Sequence, residues 1–486
     1  MPFARHLFAR RFVCVLMRTV ALLFPVVAFL APGAASAQTL PREVETALAQ
    51  AQVPREAVAL LVTDVHGQRP PRLAWRTQTP MVPASVMKLL TTYAGLDLLG
   101  PAFTWRTPVY VEGRVQGGTL EGNLYIEGRG DPKLVMERLW LLLRQVQSLG
   151  IRTIRGDIVL DRSAFEVGTT DPGAFDGRPL KSYNAAPDAL LVNYKSVVLR
   201  FVPQPDAGVA LIGIEPPLAG VMVQASVPLS AGSCEGWRTQ LRASFQSERL
   251  SFAGSYPAGC PQDSWPVAYP QPDSFAARAI AGLWAEMGGQ ISGRVREGRV
   301  PAGLAPAFEA VSPSLAEVVR DINKFSNNVM AEQLFLTLGL QFEQHGSAEA
   351  ARTVLRQWWS KRVGATEGVP AIDNGSGLSL VSRITAGQLG QMLQAAWRSP
   401  SMPELAASLP IVGVDGTLRK RVLRTGATAH LKSGSLPESG VTAVAGYVDG
   451  QSGRRYALVA FINHPHASRA RAAFDALIDW TAQDMP

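Results

Sequence analysis

Three short clusters carry side chains whose types and spacing can perform acyl transfer. Ser85 and Lys88 stand three residues apart in Ser85-Val86-Met87-Lys88. On a helix, positions i and i+3 share a face, so the lysine reaches back to the serine hydroxyl. A lysine desolvated there, with a second cation nearby, loses proton affinity and can take the hydroxyl proton. At a helix start the serine N–H also lies near the positive end of the helix dipole. Phe325-Ser326-Asn327-Asn328 adds a hydroxyl and an amide two residues apart, on the link between two predicted helices. The Asn328 amide suits a substrate backbone group, and the Ser326 hydroxyl can pass a proton to a leaving amine. Lys432-Ser433-Gly434-Ser435 offers a cation for a carboxylate, a further hydroxyl, and a glycine that admits a ligand close to the backbone. The N–H of Ser435 can pair with that of Ser85 around a developing oxyanion.

Taken singly, each cluster also reads as ordinary structure: a helix-start serine beside a surface lysine, a Ser/Asn turn, a turn between strands. Other chemistries find less support. His464-Pro465-His466 lacks an acidic or cysteine partner at metal-ligand spacing and reads as a surface loop. The sequence has no Gly-x-x-x-x-Gly-Lys phosphate loop, and no Gly-x-Ser-x-Gly elbow competes with Ser85. Neither a metal nor an organic cofactor is expected.

The clusters need elements to hold them. Ala57 to Val62 is a short apolar, strand-like run ahead of a His66-Gly67 turn. Val86, Leu89, Leu90, Tyr93 and Leu96 recur with helical spacing until Gly100-Pro101. From about 102 to 272, short strand-like runs (124–126, 158–160, 197–199) alternate with Gly/Pro turns. Helical periodicity returns at Ser274 to Met287, and again after Ser314, which with Glu317 suggests a capping box. Helices are predicted over much of 314–360 and 385–398, strands over 442–448 and 456–462, and a last helix over 469–482. Helix and strand at both ends with a β-rich middle predict an insertion into one α/β domain.

With 486 residues and 47% apolar against 18% charged side chains, the chain has a core to bury and is not disordered. Net charge is +8, and Arg5, Arg10, Arg11 and Arg18 carry half of it. The remainder does not argue for nucleic acid as a partner. Those arginines precede an apolar stretch, Val20 to Ala31, and then Ala35-Ser36-Ala37. The order is that of an export signal over 1–37, cleaved before Gln38. An uncleaved anchor is the alternative, but about a dozen apolar residues fall short of a span. Of three cysteines, Cys14 goes with the signal; Cys234 and Cys260 remain, either as separate thiols or as a disulfide. A bridge there would stabilise by roughly 3 kcal/mol.

As an ordered set, Ser-x-x-Lys on a helix, Ser-x-Asn on a helical link and Lys-Ser-Gly on a strand resemble the motifs of the penicillin-recognising serine acyl-enzymes. From Lys88 to Ser326 is 238 positions, more than small β-lactamase-like enzymes need. This narrows the resemblance to D-alanyl-D-alanine carboxypeptidase/endopeptidases of the S13 peptidase type (penicillin-binding protein 4-like). Four further segments are similar to that family: Gly128 to Pro132, Tyr183 to Ala185, Asp373 to Ser379, and Gly413 to Leu418. Two departures stand out. Ser433 replaces a common threonine, and Asn374 interrupts the usual Asp-Gly-Ser-Gly.

The resemblance implies an α/β (α+β) serine β-lactamase/transpeptidase-like domain, discontinuous in sequence, with inserted β-rich domains. Residues 38–103 and 291–486 would form the catalytic domain and 104–290 the insertion. It implies hydrolysis of peptidoglycan stem peptides through an acyl-enzyme in the periplasm, with β-lactams as covalent inhibitors and at most peripheral membrane contact. Ser85, Lys88, Ser326 and Asn328 would be catalytic; Lys432, Ser433, Gly434 and Ser435 would bind substrate. A serine β-lactamase, a catalytically silent peptidoglycan-binding protein and a membrane-anchored structural protein remain as alternatives.

Overall fold

The computed structural model describes residues 39–168, 171–246, 248–364 and 368–485. The export signal and Cys14 lie outside the described residues.

A five-stranded antiparallel sheet underlies the three clusters, in the order 429–436, 441–449, 455–463, 58–64, 73–75. Its strands come from opposite ends of the chain, with Val58 paired to Ile462. Alternate residues point to opposite faces, and both faces are covered. Ala443, Ala445, Tyr447, Val459 and Phe461 enter one core, while Val444, Val448, Leu458 and Ile462 enter another. That is why these strands read as continuous apolar runs rather than alternating ones. Helices α1 (Arg42–Gln50) and α10 (Arg471–Ala482) cover the second face. The first is covered by α2 (Lys88–Leu99), α5 (Leu315–Phe325), α6 (Asn328–Glu343), α7 (Ala348–Arg362), α8 (Ala386–Trp397) and α9 (Met402–Ser408).

Local sequence accounts for these helices. In α5, Leu315, Val318, Val319 and Ile322 are buried at helical spacing. The Ser314–Glu317 capping box closes its start. Helix α2 differs from the expected amphipathic helix: every residue from Lys88 to Leu96 is buried. It runs through the core rather than along its edge.

Residues 106–311 hold the other sheets: one of seven strands, one of five and one of three. They share a core with α3 (Met136–Ser148) and α4 (Pro272–Glu286). Helix α3 was not anticipated, although Leu139, Leu142, Leu143 and Val146 are buried with clear helical spacing. This middle segment is tied to α6 by polar bonds. The Asp188 N–H donates to Gln333 Oε1 at 2.8 Å, and Gln333 Nε2 returns a bond to the Asp188 carbonyl at 2.9 Å. Asp188 is buried and also takes Lys195 at 2.9 Å and Arg162. Cys234 and Cys260 are joined by a disulfide; they follow the strands 226–230 and 256–257, which pair with each other in the five-stranded sheet of this segment.

Replacing Cys234 and Cys260 together by serine is expected to lower stability by roughly 3 kcal/mol, the loop-closure value for a bridge of this span. The midpoint of urea unfolding, compared between oxidised protein and the double variant, measures it.

Candidate active site

Ser85 sits on a short 3-10 turn, Ala84–Met87, which runs into α2 at Lys88. The α-helical first turn expected at Ser85 is therefore a tighter one, and Ala84 adopts a positive φ of 48°. Such a conformation costs about 1 kcal/mol or more outside glycine and persists only where neighbours impose it. Two glycines bring those neighbours in. A Cβ on Gly377 would stand 1.9 Å from the Ala84 carbonyl oxygen, and one on Gly434 2.8 Å from that of Pro83. The edge strand Ala429–Leu436 and the 375–378 loop thus close on the turn with bare backbone.

Lys88 is fully buried, and its Nζ has three partners. Asn328 Oδ1 lies at 2.6 Å, the Ser376 carbonyl at 2.6 Å and Ser85 Oγ at 3.0 Å. Asn328 is the first residue of α6, and its Nδ2 donates to the Tyr183 carbonyl at 3.0 Å. That bond sets the amide so that its oxygen faces the lysine. The first two partners can only accept hydrogens. A neutral amine spends both of its hydrogens on them and turns its lone pair to the Ser85 hydroxyl. Burial brings Lys88 down to about 7 from 10.5, while the nearby Glu332 pulls the other way. The expected second cation is not what lowers Lys88; removal from water is.

Ser326 is the first of two residues between α5 and α6, and its φ of 58° turns the chain there. Asn327 caps α6 by accepting the Met330 N–H. Ser326 Oγ receives Lys432 Nζ at 2.8 Å. Lys432 is also fully buried, on the edge strand, and donates to the Ser433 carbonyl at 2.7 Å. Burial, and then the charge of Lys88, hold it well below its usual range. Ser433 Oγ lies 2.6 Å from Thr417 Oγ1.

These groups meet at one cleft of about 840 Å³, whose lining includes Ser85, Ser326, Thr417, Ser433, Gly434 and Ser435. Lys88, Asn328 and Lys432 are buried behind them. The three sequence clusters therefore converge on one cavity. Sequence reasoning missed four contributors: the Tyr183 carbonyl, the Ser376 carbonyl, Thr417 and Glu332. Three of these lie in segments noted only for resemblance, since carbonyls carry no side-chain signal. Glu332 stands four residues after Asn328, on the same helical face. Among the described residues no group of three His, Cys, Asp or Glu side chains is placed to hold a metal ion. His464 and His466 meet edge to face, 5.2 Å apart, and the His466 N–H donates to His464 Nδ1 at 3.2 Å.

Residues 40–484 match the model of the D-Ala-D-Ala carboxypeptidase 3 (S13) family. The D-alanyl-D-alanine carboxypeptidase of Actinomadura sp. (strain R39) is 28% identical over 81% of this chain and 75% of its own length. The D-alanyl-D-alanine carboxypeptidase DacB of Haemophilus influenzae is 25% identical over 79% of this chain and 81% of its own. The crystal structure of penicillin binding protein 4 from Haemophilus influenzae superposes with a TM-score of 0.70 at 22% identity, covering 90% of this chain and 99% of that one. It shares the fold: mixed α/β with several sheets.

Gly377→Ala is expected to force the Ala84 carbonyl, and with it Ser85, out of place. Acylation by a fluorescent penicillin is expected to slow by at least about tenfold while the protein stays folded, because a positive-φ alanine costs only about 1–2 kcal/mol elsewhere. A labelling time course beside a thermal melt checks both halves.

Proposed function

Because the chain belongs to the D-Ala-D-Ala carboxypeptidase (S13) family, we propose that it hydrolyses D-alanyl-D-alanine bonds of peptidoglycan stem peptides with Ser85 as nucleophile. The observation that carries this reading is the coordination of Lys88: two carbonyl acceptors and one serine hydroxyl. Ser85 Oγ attacks the carbonyl carbon while Lys88 takes its proton. The N–H groups of Ser85 and Ser435 receive the oxyanion. Ser326, bonded to Lys432, relays to the departing D-alanine amine the proton that Lys88 took from Ser85: it gives up its own hydroxyl proton and regains one from Lys88, which returns to the neutral amine. Asn328 has its oxygen on Lys88 and its nitrogen on Tyr183, so its first task is to hold the lysine; a bond to the acyl donor is a second. The terminal carboxylate docks on Lys432 with Ser433 and Thr417. Its charge restores the proton affinity that burial removes from Lys432. Water then opens the ester with Lys88 as base.

The same residues acylate on β-lactams, whose tethered amine slows release. Cross-linked peptides are substrates where the acceptor strand fits the open cleft, which adds endopeptidase to carboxypeptidase activity. The enzyme works in the periplasm, delivered by the signal at 1–37. Among the described residues no helix is long and apolar enough to cross a membrane.

Ser85→Ala is expected to abolish covalent labelling by fluorescent penicillin, and label that persists would overturn the assignment. Lys88→Ala is expected to cut acylation by about 10²-fold or more. Since the base is the unprotonated amine, the acylation rate falls as pH drops through about 7, the value to which burial brings Lys88. Stopped-flow acylation against pH gives that limb. Incubation with cross-linked and uncross-linked muropeptides, analysed by mass, separates the two hydrolytic activities.

A further inference from the structure

Glu332 takes no part in the steps above, yet it lies on α6 one turn beyond Asn328 and feels the charge of Lys88. Its Oε1 is 2.8 Å from the hydroxyl oxygen of Ser376, the residue whose carbonyl holds Lys88. The hydrogens around that hydroxyl can be counted. Asn374 Oδ1 is 3.0 Å from it on another side. Asn374 Nδ2 donates to the Leu378 carbonyl at 3.0 Å, and Oδ1 receives the N–H groups of Ser376 and Gly377 at 3.1 and 3.3 Å. The oxygen of Asn374, not its nitrogen, therefore faces Ser376. The Leu378 N–H donates into Ser376 Oγ at 3.2 Å. Ser376 Oγ thus meets two oxygen acceptors and owns one proton. With Glu332 ionised, one of those two short oxygen contacts has no hydrogen in it.

A proton on Glu332 resolves the conflict. Glu332 donates to Ser376 Oγ, Ser376 donates to Asn374, and the two lone pairs of Oγ take Glu332 and Leu378. We propose that Glu332 is a positioning residue of this active site, kept as a neutral acid in the resting enzyme. It ties the Asn374–Leu378 loop, which presents a carbonyl to Lys88, to α6, which presents Asn328. It also withholds a negative charge from Lys88, so that the amine stays unprotonated and able to accept the Ser85 proton. The titratable groups that act on it are Lys88 on α2 and Asp373 ahead of the loop; Lys432 on the edge strand is coupled to Lys88. Burial, with Asp373 adding to it, pushes the Glu332 carboxyl up to about 7, against Ser376 and Lys88.

This inference rests on Lys88 being the base for Ser85. Its test is the pH profile of acylation by labelled penicillin, measured on the purified protein across the neutral range. Glu332→Gln supplies a permanently neutral group whose N–H can donate to Ser376. Because the proposal already has Glu332 uncharged, the acid limb is expected to stay within a few tenths of a unit of wild type, with acylation rates within about twofold at each pH. A limb that moves to lower pH by about one unit, the mark of a negative charge removed from beside Lys88, overturns the proposal. Should that variant not fold, Ser376→Ala tests the same bond: without the hydroxyl that accepts the acid proton, Glu332 ionises more readily and raises Lys88, so the limb moves to higher pH; an unmoved limb, or one that moves lower, overturns the proposal. Ser85→Ala runs alongside: label on it would strike at the serine chemistry itself and leave the question of Glu332 separate.

Discussion

An uncharged amine kept one helical turn from a hydroxyl, inside protein, is the constraint on which the site depends. Water would protonate a lysine at neutral pH, so Lys88 has to be dry. A dry amine also has to be satisfied, or its burial is prohibitive. Both needs are met by acceptors that cannot donate: the Asn328 oxygen on α6 and the Ser376 carbonyl on a loop 288 positions downstream in the sequence. Because these consume the amine hydrogens, orientation follows from hydrogen-bond capacity alone, and the lone pair is left to Ser85. The chemistry is thus fixed by where two carbonyl-type oxygens stand, and each of those is fixed in turn by its own element.

Backbone proximity does the rest. The edge strand, the 375–378 loop and the Pro83–Ser85 turn meet through Gly434 and Gly377, at distances no Cβ permits. Positive φ at Ala84 and Ser326 marks the two places where reactive hydroxyls are turned into the cleft against local preference. An edge strand is an unpaired row of N–H and C=O groups. Here the outer strand pairs with 410–412 over Ala429–Leu431, and its remaining stretch, with Gly434 against the Pro83–Ser85 turn, lies on the cleft side. A peptide laid along it would meet Ser433 and Ser435, which line the cleft.

Much of this was legible in the residue order, and the reasons for the remainder are physical. Ser85, Lys88, Ser326, Asn328 and Lys432 carry polar groups at short, fixed spacings, so their side chains announce themselves. The continuous apolar runs at 441–449 and 455–463 announce a sheet covered on both faces. Helix α3 was hidden by its neighbourhood: its stripe of Leu139, Leu142, Leu143 and Val146 lies among short strands, and a regional impression of β structure masked a local period. The Tyr183 and Ser376 carbonyls leave no trace in residue type. Thr417 was noted only within a family-like segment, because its partner Ser433 is set by strand placement. Residue type alone makes Lys432 a fixed cation; burial, which residue type does not reveal, holds its proton affinity well below the usual lysine range.

The arrangement works against folding, and the sign can be followed group by group. Lys88 titrates near 7 when folded against an ordinary 10.5. Below about 7 the folded and unfolded states both bind its proton, and the full cost of a buried ammonium is present; that cost eases as pH rises toward 10.5. Glu332 titrates near 7 against an ordinary 4.5, so its contribution is unfavourable once pH passes 4.5 and complete above 7. Neutral pH therefore carries a large part of both penalties at once. The compensation is visible around the site. Helix α2 is buried from Lys88 to Leu96, and α6 along most of its length, which gives the two helices bearing these groups more apolar burial than a surface helix provides. A reactive lysine in this fold thus requires a hydrophobic centre around it, and the central placement of α2 follows from the chemistry it has to host.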